Sequence, residues 1–309
     1  MPGQGYRSGV IDHAGKEVAL LKTLEFCRPS QIDEALELLA QKKNCKIIAG
    51  GTDLVIALNE RTIRPDCILD ISGIESLSRI YENEGVLHIG AMARFSQIQN
   101  SALVAKFCPA LCSAASQVGA VQIRNIATIG GNVANAATAA DSIPSLLSVN
   151  ALAVIASYHG RRTVPVSEIV VGINKNSLQE NELIEEFLLP FKPGYAMVFE
   201  KIGRRKALAI ARINLALCAR VQDGHVADAA VAVGAVNKTA YRVLEVEQFL
   251  QGKTLESGVI EQAAVLMDET VARNLAGRPT TPYKRKIAYA VLKRAMEKMA
   301  GGEGLCCLE

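Results

Sequence analysis

The sequence predicts an α+β protein: two small α/β lobes, followed by a separate domain with an antiparallel sheet and helices. Three observations carry that expectation. A short apolar strand breaks at Gly50-Gly51 and hands over to a helix, and a second glycine pair, Gly130-Gly131, sits in a later stretch of mixed helix and strand. After Pro193 the pattern changes to long strands joined by an Asp223-Gly224 turn.

In the first lobe, Ser30 with Asp33 and Glu34 reads as a helix N-cap. Ile32, Ala35, Leu36 and Leu39 then recur at helical spacing as far as Lys42-Lys43. Lys46-Ile47-Ile48-Ala49 is a buried strand, Thr52 to Leu58 an apolar helix-like segment, and Cys67 to Ile71 a further strand. In the second lobe, Val86 to Ile89 is a strand, helices start near Ser96 and Pro109, and strands follow at Leu152 to Ala156 and Leu183 to Leu189. In the third domain, Met197 to Ile202, Asn214 to Val221 and Val226 to Val236 read as strands, with Asp223-Gly224 as the hairpin turn. Val243 to Leu250, Ser257 to Asn274 and Pro282 to Met299 read as helices, and Gly-Gly-Glu-Gly after Ala300 as a disordered tail. The expected division is 22–192, with subdomains at about 22–80 and 81–192, then 195–300, with tails at 1–21 and 301–309.

With 34 basic and 31 acidic side chains among 309 residues, the net charge of +3 points away from nucleic acid or a membrane surface as partner. The first twenty residues lack a secretory apolar run, and no stretch reaches the ~20 apolar residues of a span, so a cytoplasmic location is expected. The eight cysteines include no C-x-x-C pair and the four histidines are scattered, so no metal site is expected in this chain. Cys108 and Cys112, one helical turn apart, read as packing residues, and Cys306-Cys307 as part of the tail.

Two segments carry chemistry. In Ile47-Ile48-Ala49-Gly50-Gly51-Thr52-Asp53-Leu54, the strand ends in glycines whose backbone N–H groups are accessible donors, suited to a phosphate. The Rossmann and P-loop glycine signatures are absent. The second segment, Gln122-Ile123-Arg124-Asn125-Ile126-Ala127-Thr128-Ile129-Gly130-Gly131-Asn132, is followed by Ala134, Ala136, Ala137, Ala139, Ala140 and Asp141. Its small side chains suit either a planar ligand with Thr128, Asn132 and Asp141 as hydrogen-bonding groups, or simple close packing of helices. Together the two segments suit a nucleotide-type cofactor lying between two lobes.

At these residues the sequence resembles the FAD-binding subunits of the xanthine dehydrogenase and carbon monoxide dehydrogenase family, over about residues 22 to 299. The resemblance is nearest to the xanthine dehydrogenase type and implies the two-lobed FAD-binding fold of the PCMH/VAO type. It implies that Ile47, Ile48, Ala49, Gly50, Gly51, Thr52, Asp53 and Leu54 wrap the FAD diphosphate. Thr128, Ile129, Gly130, Gly131 and Asn132 would continue around the diphosphate and ribityl chain, with Asp141 hydrogen-bonding the cofactor. Asn181-Glu182-Leu183-Ile184 resembles a strand that places an apolar side chain, here Ile184, against the cofactor, and Phe199 to Arg205 resembles the segment carrying a contacting lysine, here Lys201. Val118 stands where some relatives place an aromatic residue.

The resemblance further implies a division of labour. A large subunit with a molybdenum–pterin cofactor would hydroxylate the substrate, and a small subunit with two [2Fe–2S] clusters would relay electrons. FAD in this chain would pass them to NAD, within a dimer of heterotrimers, and no side chain here is expected to act as catalytic acid or base. Xanthine or another purine is the expected substrate, with nicotinate, aldehyde and carbon monoxide enzymes as alternatives. A self-contained flavoenzyme of the same fold and a scaffold that has lost its flavin are the competing readings.

Overall fold

A computed structural model describes residues 24–204 and 210–304. The predicted tail 1–21, Arg205, Cys306 and Cys307 lie outside the described residues. The first lobe contains strand β1 (Glu25–Cys27), helix α1 (Ile32–Gln41), β2 (Cys45–Ile48), α2 (Leu54–Asn59) and β3 (Cys67–Asp70). Its sheet is parallel in the order β1-β3-β2, with Ile47 opposite Leu69. Parallel strands need a crossover, which α1 supplies between β1 and β2 by burying Ala35, Leu36 and Leu39. The expected Ser30 cap is not formed. Gln31 occupies the N-cap without a side-chain bond, and the Ser30 backbone N–H donates to Glu34 Oε2 (3.1 Å) instead.

The second lobe begins with β4 (Ile80–Asn83) and β5 (Val86–Gly90). A run of short helices follows: α3 (Phe95–Gln99), α4 (Ala102–Phe107), α5 (Pro109–Ser116), α6 (Val121–Arg124), α7 (Ile129–Asn135) and α8 (Ser142–Ser148). The lobe closes with β6 (Leu152–Ser157), β7 (Gly160–Pro165), α9 (Val166–Ile169), the hairpin β8 (Val170–Gly172) and β9 (Lys175–Asn176), and β10 (Leu183–Pro190). Five strands pair antiparallel in the order β4-β5-β10-β6-β7, so the helices enter as one insertion rather than as alternating crossovers. Leu87, Ile89, Ala153, Ile155, Phe187 and Leu189 turn one face of this sheet into the core. The edge strands β4 and β7 escape a hydrophobic pattern because most of their residues are exposed and polar.

The third domain has strands β11 (Tyr195–Gly203), β12 (Ala211–Gln222), β13 (His225–Gly234) and β14 (Tyr241–Arg242) in sequential antiparallel order. Helices α10 (Leu244–Leu250), α11 (Ser257–Asn274) and α12 (Thr281–Ala300) complete it. Asp223 and Gly224, both at positive φ, make the expected two-residue turn between paired Gln222 and His225. Both faces of the sheet are covered. Leu215, Leu217 and Ala219 face α11 and α12, whereas Ala216 and Cys218 face the second lobe. The strand therefore reads as one continuous apolar run rather than an alternating one. The segment after Ala300 departs from the expected disorder through Gly304: the chain turns back at Gly302 and Gly304, both at positive φ, and the Gly304 carbonyl accepts from the Met197 N–H on edge strand β11 (2.7 Å).

Candidate functional site

A cavity of about 470 Å³, within the usual range of small-molecule and cofactor sites, opens between the two lobes. From the first lobe, Ile47, Ala49, Gly50, Gly51, Thr52, Asp53 and Leu54 line it. Ile48 is outside the lining, its side chain lying against the position a Cβ on Gly51 would take. From the second lobe come Thr128, Gly130, Gly131, Asn132 and Ile184, while Ile129 is fully buried in the core.

The two segments are locked together by backbone. A Cβ built on Gly50 would lie 2.0 Å from the Ile126 carbonyl oxygen of the second segment, and within the second lobe one on Gly130 would lie 2.6 Å from Ala91 Cβ and 2.7 Å from Ala91 O. Only hydrogen-sized side chains allow these approaches. Helix α6, which holds Gln122 to Arg124, does not line the cavity but sets Ile126 against Gly50. Arg124 Nη1 fixes the preceding turn by donating to the Val118 and Gly119 carbonyls (3.2 and 3.3 Å). Val118 packs against the core and is not part of the lining.

Their hydrogen bonding differs. The N–H groups of Gly51, Thr52, Asp53 and Leu54 have no acceptor among the described residues, so they remain available to an anionic or carbonyl-bearing ligand. In the second segment the Ile129 N–H donates to Ala93 O (3.0 Å), Gly130 to Ala91 O (2.8 Å), Gly131 to Thr128 Oγ1 (3.1 Å) and Asn132 to Thr128 O (3.0 Å). This stretch is the capped first turn of α7, not a loop with spare amides. It offers the ligand the bare surface of Gly131 and the side chain of Asn132.

Asp141 and Lys201 do not line the cavity. They pair with each other, with Lys201 Nζ 2.5 Å from Asp141 Oδ2 and both side chains 7% exposed. Lys201 also donates to the Gln117 carbonyl at the end of α5 (2.9 Å), and Asn214 Nδ2 on β12 donates to Asp141 Oδ1 (2.9 Å). Burial pushes the Asp141 carboxyl above its ordinary value, while the Lys201 ammonium and the Asn214 amide pull against that shift. The pair therefore fastens the start of α8 and the end of α5 to the C-terminal sheet.

The small-residue run serves mainly as packing. Ala136 and Ala140 are buried in the core, the Asn174 N–H donates to the Ala136 carbonyl (3.0 Å), and only Ala134 of the five alanines lines the cavity. Sequence reasoning missed Ala91, Met92, Asn135, Asn174 and Asn176 as lining residues. Asn176 Nδ2 donates to Ala134 O (2.7 Å), which holds the β8–β9 hairpin at the cavity wall. The Asn174-Lys175-Asn176 turn was the available signal. Cys112 is a packing residue whose thiol donates to Ile98 O (3.2 Å), and burial raises its pKa to about 11.

Residues 22–192 match the family model described as the FAD binding domain in molybdopterin dehydrogenase, and 198–299 match the CO dehydrogenase flavoprotein C-terminal domain. The nicotinate dehydrogenase FAD-subunit of Eubacterium barkeri is 32% identical over 293 residues, covering 91% of this chain and 99% of the relative. The xanthine dehydrogenase FAD-binding subunit of Escherichia coli O157:H7 is 30% identical over 282 residues, covering 90% and 97%. Among solved structures, carbon monoxide dehydrogenase from Hydrogenophaga pseudoflava superimposes with a TM-score of 0.83 at 30% identity, over 89% of this chain and 96% of that one.

Proposed function

Because this chain belongs to the family of FAD-binding subunits of the molybdenum hydroxylases, we propose that it holds FAD in the inter-lobe cavity and hands electrons from partner-subunit clusters to NAD. The observation that carries the cofactor reading is the unpaired amide row from Gly51 to Leu54 facing the bare surface of Gly131 across one cavity. When bound, FAD supplies the exchange between single electrons and a hydride.

The residues of this chain then have separate roles. The amides of Gly51 to Leu54 receive the diphosphate, Lys46 places a cationic side chain in the same lining, Asn132 offers a side-chain hydrogen bond, and Ile47 and Ile184 give apolar walls. Asp141 and Lys201 act on the cofactor by holding the wall that faces the C-terminal sheet. The electron source is a small subunit with two [2Fe–2S] clusters, served by a large subunit with a molybdenum–pterin cofactor, in a dimer of heterotrimers. For the assembled enzyme the reading is a nitrogen heteroaromatic substrate, xanthine or a related purine. Relatives named for xanthine and nicotinate support that class. The nicotinate relative gives the second reading, a pyridine carboxylate as substrate. No helix among the described residues is long and apolar enough to cross a membrane.

The chain expressed alone is expected to purify yellow and to release FAD on denaturation, with no turnover of xanthine until the partner subunits are added. A colourless chain that refuses added FAD overturns the cofactor reading, and turnover by the chain alone replaces the subunit reading with a self-contained flavoenzyme.

Gly131→Val separates ligand contact from folding. A Cβ there meets only Thr128 Oγ1, at 3.0 Å, and otherwise enters the cavity. The variant is expected to lose FAD affinity by roughly a hundredfold, an energy of about 2.7 kcal/mol, while unfolding within a few degrees of the FAD-free parent. Unchanged FAD affinity in titration removes this wall from the binding site.

A further inference from the structure

We infer that Ser142 is a positioning residue for the cofactor, acting through Asn132: its hydroxyl holds the Asn132 side-chain carbonyl and thereby aims the Asn132 NH2 into the cavity. The inference rests on the FAD reading above and adds a residue that does not itself line the cavity.

Ser142 is 0% exposed and lies at the first position of α8. Its Oγ is 2.6 Å from Asn132 Oδ1, a short O–H···O bond. A buried hydroxyl needs an acceptor for its proton, and Asn132 Oδ1 is the acceptor it reaches among the described residues. With the Asn132 amide turned over, its NH2 would donate to the Ser142 oxygen and leave the Ser142 proton without an acceptor in the core. The amide is therefore held one way round. Its Nδ2 has no acceptor among the described residues, yet it is not among the polar atoms sealed from solvent without a partner. Asn132 lines the cavity, so that NH2 is a directed donor for a carbonyl oxygen, ring nitrogen or phosphate oxygen of the ligand.

Neighbouring bonds keep the hydroxyl in place. Ser142 follows Asp141, which is clamped by Lys201 and Asn214, and the Asn132 N–H donates to the Thr128 carbonyl in the first turn of α7. An amide held at one orientation binds its acceptor without first losing rotational freedom, as expected for groups ordered by a supporting shell.

The test is a double-mutant cycle on FAD affinity in the full chain, read by quenching of flavin fluorescence, with thermal unfolding of each FAD-free variant in parallel. Ser142→Ala is expected to weaken FAD roughly fivefold to tenfold, and Asn132→Ala to weaken it by at least as much. Adding Ser142→Ala to Asn132→Ala should produce no further loss. Ser142→Cys, close in size but a weak donor, should behave like Ser142→Ala. Wild-type affinity in Ser142→Ala, or effects of the two changes that multiply, overturns the inference, because a merely structural serine would act independently of Asn132. Absence of FAD binding by the unmutated chain is a different failure, that of the cofactor reading itself.

Discussion

Gly50→Ala is expected to destabilise the FAD-free chain by about 3 kcal/mol or more, a fall in melting temperature of roughly 6 to 12 °C, and to abolish retention of FAD. The added Cβ would lie 2.0 Å from Ile126 O, 2.7 Å from Ile126 C and 2.9 Å from Ala127 Cα. All three are backbone atoms of the segment entering α7, and α7 is itself bonded to Ala91 and Ala93. No side-chain rotation relieves the overlap, so the lobes must part at the place where the cavity is formed. From the sequence alone, Gly50 reads as a glycine that leaves room for phosphate, which predicts lost affinity with unchanged folding. The contact with Ile126 makes it a glycine that lets two chain segments touch, which predicts lost stability before any ligand is added. Thermal unfolding of the FAD-free variant decides between these. A melting temperature equal to the parent's removes the lobe-contact argument, even if flavin is lost.

The same contrast marks what was legible in the sequence. Strand, glycine pair and helix start are local features, and Ile47 to Leu54 could be read as a candidate cofactor segment because a strand that stops at glycines exposes amides whatever surrounds it; all of it but Ile48 lines the cavity. The long C-terminal strands were legible because burial on both faces leaves continuous apolar runs, and the Asp223-Gly224 turn because positive φ has few sequence solutions. The edge strands were illegible because little of them is buried. Asn174 and Asn176 were missed because a polar turn becomes a cavity wall only through a fold that brings it back against Ala134 and Ala136. Asp141 and Lys201, 60 residues apart, could be named separately, but no spacing rule announces that each is the other's partner.

That pairing gives the second large effect. Lys201→Met is expected to cost about 3 to 5 kcal/mol, since removing one member of a buried ion pair strands the other charge. Asp141 would keep the Asn214 amide but lose the one cation within bonding distance among the described residues, and the Gln117 carbonyl would lose its Lys201 donor. Burial already raises the Asp141 carboxyl above its ordinary value, and without Lys201 that cause acts with less opposition. A carboxyl with a raised folded-state pKa favours the protonated form in the fold. Its stability contribution is therefore present below the ordinary carboxylate pKa and is lost as pH rises through the raised value. Lys201→Met should thus lie closest to the parent in acid and fall furthest behind at neutral pH and above. Lys201→Met with Asp141→Leu, which removes both charges, should recover most of the stability and flatten that pH dependence. Equal destabilisation of Lys201→Met at every pH, or no recovery in the double variant, would mean that Lys201 acts through packing of its stem rather than through the charge of Asp141.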